Sequence, residues 1–293
     1  MILGIDKGTA FTKNNKGEVF KSVLRREKIN EIDLNNSLIH VGWEGENYIV
    51  GENGQYETNL DKAHHSNTDI LVCTSIAMQS SEQVTKAKIV LGVPIAEYKK
   101  QKEMLKNRFK GKSFQISING ISKIIVFEEV EVFPEGAGAF YTADVLDAIV
   151  IDIGGLSVDV CSFQNGGLNH FETYEQGTFR LNAEIAGYLN TRFSTKLRQW
   201  DIEMIMDKGL SVDGQRVNIE SAYELEKFHT EKIINDIKLD FDLKTVPNVL
   251  IAGGGGARLY KHIKEQISHA KLIDDPQLAN AKGFAKVGEK LWK

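Results

Sequence analysis

The chain has 293 residues, 42% of them hydrophobic and 26% charged, and 36 Lys and Arg against 40 Asp and Glu leave a net charge of −4. This composition is typical of a globular protein with enough apolar residues for cores in about two domains. Because there is no basic surplus, direct nucleic-acid binding is not expected. Neither cysteine has the spacing of a zinc site or a disulfide framework. With no signal segment before the first strand and no membrane-length apolar run, we expect a cytoplasmic location and no membrane contact.

The first half of the chain begins with short strands and then alternates strands and helices. Period-2 patterning predicts a β-meander over residues 2–24 and a hairpin over residues 40–50, with an irregular stretch over residues 25–45. The polar stretch 51–66 is expected to be an exposed loop, and no chemistry is assigned to its His64-His65 pair. Apolar spacing predicts a helix over residues 69–80.

In the remainder of the first half, we expect a strand over residues 88–93, a charged helix over 96–108, a hairpin over 114–126 turned by Asn119-Gly120, and a strand over 130–133. A small-residue helix is expected after Pro134.

The second half repeats this plan, which indicates a mixed α/β protein. The expected strands are 148–153, 157–163, 168–173 and 249–252. The expected helices are 181–191, 222–240, 257–266 and 276–292, with short elements over 194–222.

Two similar turns follow apolar strands about half the chain apart, Asp6-Lys7-Gly8-Thr9 and Asp152-Ile153-Gly154-Gly155. Backbone N–H groups at such a turn can cradle an anion. The neighbouring Asp would repel a phosphate unless a cation lies between them or the Asp orients a water. A single copy is explained equally well by a structural hairpin whose Asp caps its own turn. Two copies indicate a duplicated fold with the hairpins facing across a cleft.

The glycine run Gly253–Gly256 lies where a strand is expected to pass into a helix. It is neither a dinucleotide fingerprint, because Arg258 replaces the third glycine, nor a P-loop, because no Lys-Ser/Thr follows. We favour a site at which a ligand approaches the backbone over a tight turn, since four glycines exceed what a turn requires. Glu135 is read either as a helix-terminal carboxylate or as a site residue, and Lys13 either as a surface lysine or as a phosphate contact.

Five motifs in order resemble the nucleotide-fold motifs of the actin superfamily: first phosphate loop, first connecting helix, second phosphate loop, adenosine motif and second connecting helix. They are Asp6-Lys7-Gly8-Thr9, Pro134-Glu135-Gly136, Asp152-Ile153-Gly154-Gly155, Gly253-Gly254-Gly255 and Ala279-Asn280-Ala281-Lys282-Gly283. Within the superfamily the chain looks most like the ParM-type bacterial actins that segregate plasmids. The short stretch between Thr191 and Ala222 is similar to that of shortened, AlfA-like members.

The resemblance implies an actin-like ATPase fold, with two RNase H-like domains around a nucleotide cleft. Domain I would span residues 1–147, with an outer insertion at about 31–66 and the helix 276–293 packing back on it. Domain II would span residues 148–275, with a reduced outer insertion at about 192–222.

The resemblance also implies ATP or ADP as ligand, with GTP as an alternative, together with Mg²⁺ held by Asp6 through water. The implied phosphate contacts are Gly8, Thr9, Lys13, Gly154, Gly155 and Leu156, and the residues that position the hydrolytic water are Glu135 and Asp152. The adenosine would face Gly253, Gly254 and Gly255, and Glu226 is the candidate residue for the ribose. Leu156 departs from the family pattern, in which Thr usually follows the two glycines.

The function so implied is an ATP-dependent filament whose partners are further copies of the chain and a centromere-binding adaptor. A metabolic, sugar-type kinase of the same superfamily is the alternative, although no additional carboxylate base is evident. A cell-shape or division scaffold would need an amphipathic basic terminus, and residues 276–293 are only mildly so. If every motif is a structural turn, the chain is only a two-domain α/β protein.

Overall fold

The computed structural model describes residues 1–27 and 38–293. Residues 28–37, which include parts of the predicted irregular stretch 25–45 and outer insertion 31–66, lie outside the described residues. The chain forms two compact units. Unit 1 comprises Met1–Asp144 and Ile273–Lys293, and unit 2 comprises Val145–Leu272.

The described strands are β1 (Ile2–Lys7), β2 (Phe11–Asn14), β3 (Val19–Lys21), β4 (Val23–Arg26), β5 (Ile39–Trp43), β6 (Glu46–Val50), β7 (Gln55–Tyr56), β8 (Val84–Val93), β9 (Ser113–Ile118), β10 (Ile121–Pro134), β11 (Ala148–Ile153), β12 (Val158–Gln164), β13 (Gly167–Tyr174), β14 (Ser211–Val212), β15 (Gln215–Arg216), β16 (Val249–Ala252) and β17 (Ala270–Leu272). The α-helices are α1 (Thr68–Gln79), α2 (Tyr98–Phe109), α3 (Ala137–Phe140), α4 (Thr178–Phe193), α5 (Ile202–Lys208), α6 (Glu220–Asp240), α7 (Gly253–Gln266) and α8 (Ala279–Trp292).

Unit 1 is built on one sheet with the strand order β3-β2-β1-β8-β10-β9-β5-β6-β4-β7. Strands β1, β8 and β10 are parallel neighbours, so their carboxyl ends meet at the same edge. Helix α1 buries Leu71, Cys73 and Ile76 in the core beside this sheet. The carboxyl edge of β1, β8 and β10 is where ligands bind in open α/β sheets.

Helix α8 packs closely on β1 and α3 because small residues line its contact face. A Cβ added at Gly283 would overlap the carbonyl oxygen of Gly138, and one added at Gly4 would overlap that of Ala281. The predicted small-residue side of the last helix is therefore a packing surface within unit 1.

Unit 2 has a sheet in the order β13-β12-β11-β16-β17, in which β11, β16 and β17 are parallel. Its strand β11 is fully buried, as its β-branched sequence predicts. Helices α4, α6 and α7 supply Leu181, Ile233 and Leu259 to the core. The carboxyl ends of β11 and β16 are aligned, with Asp152 opposite Ala252.

Most predicted elements are confirmed, including α1, the hairpin at Asn119-Gly120 and the strands β11–β13. Three expectations are wrong. The strands predicted at 121–126 and 130–133 are one strand, β10, with an irregularity between Phe127 and Glu129. The second is the start of helix α7, which begins at Gly253 rather than after the glycine run. The short strand β17 was not predicted at all.

The third wrong expectation concerns the segment 51–66. This stretch is not simply an exposed loop, because Lys62, Ala63 and His65 are buried in unit 1. No helix in the described part of the chain is long and apolar enough to cross a membrane.

Candidate functional site

The first phosphate-loop candidate is a tight turn at the carboxyl end of β1. The N–H of Gly8 donates to the carbonyl oxygen of Phe11 at 3.0 Å, and an added Cβ at Gly8 would lie 2.9 Å from that oxygen. Glycine therefore fits where a side chain would be crowded. Thr9, in the same turn, is buried.

Asp6 and Lys13 are brought together by the register of the β1–β2 hairpin, in which they are direct partners. Lys13 Nζ lies 2.6 Å from Asp6 Oδ2, and both side chains are largely buried. A Cβ at Gly8 would lie within 3.7 Å of both side chains. Asp6, Gly8 and Lys13 thus form one cluster, and Lys13 is not a free surface lysine.

Glu135 directly follows β10, at the edge where β1 and β8 also end. Its carboxylate accepts a hydrogen bond from the buried ammonium of Lys62 through Oε1. Gly92 leaves room for this carboxylate, since a Cβ there would lie 3.0 Å from Oε1. The N–H groups of Gly136 and Ala139 both donate to Asn280 Oδ1 at 3.1 Å, which fixes the turn after Glu135.

A buried group beside this edge was missed by the sequence analysis. Lys7 Nζ lies 2.6 Å from Nδ1 of His65. Nε2 of His65 lies 3.1 Å from the carbonyl oxygen of Asn59, which can only accept, so Nε2 carries the hydrogen and Nδ1 accepts from Lys7. Desolvation by burial, reinforced by the charge of Lys62, lowers the pKa of Lys7 to about 7.

The same cause acts on the histidine. Burial, followed by the charge of Lys7, lowers the pKa of His65 to about 4, so the ring is neutral near pH 7. The sequence signal that could have indicated Lys7 is its position between Asp6 and Gly8. No sequence signal indicated His65, because its contact with Lys7 joins positions far apart in the chain.

The second phosphate-loop candidate is the turn after β11. The N–H of Gly154 donates to Ser157 O at 2.9 Å, while the carbonyl oxygens of Gly154 and Gly155 accept from the first N–H groups of α4. The N–H groups of Gly155 and Leu156 donate to no other backbone group of the described residues. These two amides are suited to an anion.

Asp152 is buried at the end of β11 and lies against the glycine run. A Cβ at Gly253 would lie 2.5 Å from Asp152 Oδ1, and Gly253 has a φ of +83°, which favours glycine. A Cβ at Gly255 would lie 2.6 Å from Cγ2 of Ile153. Gly254 is exposed in the first turn of α7, where backbone N–H groups are unpaired.

Glu226 lies in a polar cluster with α7. Its Oε1 accepts from Nε of Arg258 at 2.6 Å, and Nη1 of Arg258 donates to Asn182 Oδ1 at 2.7 Å. Nη2 of Arg258 is buried without a hydrogen-bond partner among the described residues. Arg258 is one helical turn after Gly254, so Glu226 is tied to the helix that carries the glycine run.

No group of three or more His, Cys, Asp or Glu suited to a metal is found in the described parts of the chain. A Mg²⁺ site does not require such a group, because Mg²⁺ often takes one or two carboxylates and keeps several waters.

Comparison with known proteins supports the fold class. Residues 4–138 match the family model for the N-terminal domain of actin-like proteins. The archaeal actin homolog Ta0583 superimposes with a TM-score of 0.86 at 15% identity, covering 99% of both chains. The chain has the actin-like fold. Its resemblance to the actin superfamily is thereby confirmed.

Other actin-like structures agree over nearly their whole length. A 15-stranded ParM filament from Clostridium botulinum matches with a TM-score of 0.79 at 23% identity, covering 99% of both chains. The actin-like protein Alp7A matches with a TM-score of 0.79 at 14% identity, covering 99% of this chain and 96% of that one. No match is found among curated proteins.

Proposed function

We propose that this actin-like protein is a nucleotide-dependent, filament-forming ATPase that segregates plasmid DNA through an adaptor. One observation carries the proposal. In each unit, a buried Asp (Asp6 or Asp152) is the next-to-last residue of a strand that has a parallel neighbour, and a glycine turn with a hydrogen-bonded backbone follows that strand. This is the arrangement expected of two phosphate loops, and it occurs in a chain with the actin-like fold.

Each unit is assigned residues of its own in this proposal. Lys13 supplies positive charge next to Asp6, and the N–H groups of Gly155 and Leu156 supply donors to phosphate oxygens. Asp6 would hold Mg²⁺ through water, and the ion would offset phosphate charge. Glu135 and Asp152 orient the attacking water, since phosphoryl transfer depends chiefly on positioning and electrostatics.

The base and ribose are assigned to unit 2. Gly254, which is exposed in the first turn of α7, faces the adenosine together with Gly253 and Gly255, and Glu226, which is paired with Arg258, contacts the ribose. ATP is the expected nucleotide, with GTP as the alternative. The ADP complex of Ta0583, 16% identical with a TM-score of 0.83, supports a nucleotide ligand in this fold.

Filament formation is supported by the assemblies of similar structures. The ParM of Clostridium botulinum and Alp12 are both described as filaments. Head-to-tail addition through a contact that does not close generates a helix of subunits. The centromere-binding adaptor and the cytoplasmic location stay predictions.

Light scattering and pelleting with ATP, GTP, ADP or no nucleotide test the proposal, with phosphate release measured in parallel. We expect ATP-dependent polymer and phosphate release. A panel of sugars addresses the kinase alternative: phosphorylation of a small molecule by a protein that never pellets would contradict the filament. Polymer that forms equally without nucleotide would favour a scaffold.

A further inference from the structure

The ion pair between Lys62 and Glu135 points to an additional residue in hydrolysis. We propose that Lys62 is a positioning residue, whose ammonium fixes the carboxylate of Glu135 in the orientation that holds the attacking water. The proposal rests on the ATPase function proposed above and extends it to a segment, residues 57–67, that the sequence motifs do not include.

Both side chains of the Lys62–Glu135 ion pair are buried. Only 4% of the Lys62 side chain and 10% of the Glu135 side chain are exposed. Removing two charges from water is costly, and apolar residues of similar volume often stabilise a fold equally well or better. Stability is therefore a weak explanation for the pair. A fixed orientation of one carboxylate is what the pair provides, and Glu135 is the residue for which orientation matters.

The backbone around Lys62 is held firmly enough to transmit that orientation. The carbonyl oxygen of Lys62 accepts from Oγ1 of Thr68 at 3.1 Å, at the start of α1. The N–H of Ala63 donates to Gln101 Oε1 at 3.1 Å, and its carbonyl oxygen accepts from Nη1 of Arg108 at 2.7 Å. Lys62 thus extends from a loop anchored on both α1 and α2.

The same loop also reaches the first phosphate turn. His65, three residues after Lys62, accepts the hydrogen bond of Lys7, which lies between Asp6 and Gly8. Segment 57–67 therefore contacts both the residue next to Asp6 and the carboxylate of Glu135. With its charge offset by Lys62, Glu135 orients water rather than removing its proton, as suits a reaction governed by positioning.

A double-mutant cycle tests the proposal with Lys62→Met, Glu135→Gln and the double variant. Single-turnover phosphate release and the affinity for a fluorescent ADP analogue are measured separately. We expect Lys62→Met to slow hydrolysis at least ~10-fold, while the affinity for ADP stays within about twofold, since Lys62 is assigned no nucleotide contact. Because Lys62 acts through Glu135, adding Lys62→Met to Glu135→Gln should slow hydrolysis no further.

Lys106→Met is the matched control, because Lys106 also pairs with a carboxylate of β10, Glu131 at 3.0 Å, but is partly exposed. Its hydrolysis rate should equal that of the wild type. If Lys62→Met does not fold, the double variant, which leaves neither charge unpaired, is compared with Glu135→Gln alone. Equal rates support the proposal.

Two results would overturn the inference while leaving the ATPase function intact: wild-type hydrolysis by Lys62→Met, or a double variant slower than Glu135→Gln. Failure of the wild-type protein to bind or hydrolyse any nucleotide would instead refute the function on which the inference rests.

Discussion

Asp6 and Lys13 face each other across the first hairpin, with Oδ2 and Nζ 2.6 Å apart. A shift of one residue in the pairing of β1 and β2 would place the two side chains on opposite faces of the sheet. The hairpin register therefore determines whether a cation and a carboxylate meet beside Gly8. This pair places one positive and one negative charge beside the first turn.

Lys13→Met should weaken both folding and nucleotide binding. The substitution leaves the buried carboxylate of Asp6 without its cation, and we expect a loss of about 3 kcal/mol in the free energy of unfolding. Affinity for ADP should fall at least ~10-fold, because a phosphate contact is lost. Urea denaturation and fluorescent-nucleotide titration measure the two effects.

Arg26→Ala is the control for this variant, since Arg26 and Glu46 form an exposed pair at 3.2 Å. Its effect on stability should stay below about 0.5 kcal/mol. Unchanged nucleotide affinity in Lys13→Met would remove Lys13 from the site.

The stability of unit 1 should increase with pH above 7 because of Lys7. Its pKa is about 7 in the folded protein and near the ordinary lysine value of 10.5 when unfolded, so between these values the unfolded state binds more protons. The free energy of unfolding then rises with pH, by up to about 1.4 kcal/mol per pH unit. The charged and titratable groups that act on Lys7 are Lys62, Glu57, Glu135, Arg108 and His65.

Denaturation of the wild type and Lys7→Met at pH 7.5, 8.5 and 9.5 tests this dependence. The variant should have a flatter profile, and equal slopes in the two proteins would show that Lys7 is already charged in the folded state. His65 adds a rise at lower pH, between its folded pKa of about 4 and its ordinary value of 6.5.

Glu135→Gln should slow hydrolysis about 100-fold while nucleotide still binds and filaments still form. Glutamine keeps an acceptor for Lys62, so the fold should be retained. Filaments of this variant should outlast those of the wild type in a pelleting time course. Phosphate release at the wild-type rate would exclude Glu135 from the chemistry.

Leu156→Thr should tighten the binding of ADP. Leu156 is half-buried in the second turn, and threonine adds a hydroxyl donor worth about 1 kcal/mol, or roughly fivefold in affinity. Valine has nearly the shape of threonine but no hydroxyl, so Leu156→Val serves as the control. Equal affinities of the Thr and Val variants would place residue 156 away from the phosphates.

Gly283→Ala should destabilise the contact between α8 and α3. The added methyl would overlap the carbonyl oxygen of Gly138, and such overpacking costs about 1–3 kcal/mol. Gly187→Ala in α4 is the matched control, because a Cβ there meets nothing within 4 Å. That variant should gain about 0.5–1 kcal/mol from helix propensity. A stability loss of similar size in both variants would contradict the packing argument.

Local patterns were sufficient to predict much of this protein from its sequence. The apolar run Ile149–Ile153 and the turn at Asn119-Gly120 predicted the elements that the structure contains. The paired Asp turns define the candidate site through a local signal, the spacing of glycine and carboxylate, and its role in binding stays a prediction. The start of α7 at Gly253 was missed because glycine has low intrinsic helix propensity, which packing against Ile153 and Asp152 overrides here.

The partners of the site residues could not be predicted in this way. Lys62 and Glu135 are joined by folding from distant positions, as are Lys7 and His65. In the sequence, residues 51–66 are polar and carry no periodicity, so nothing distinguishes the buried Lys62 from an exposed lysine. Such contacts depend on how the loop packs against α1 and α2.

The central claim is that nucleotide hydrolysis controls the assembly of this chain. The most direct test follows polymer mass and released phosphate in one sample after a single, limiting addition of ATP. We predict that polymer rises, and then falls as phosphate release completes. Failure to form polymer with ATP would contradict the account. So would polymer that forms without ATP and does not decline as phosphate is released.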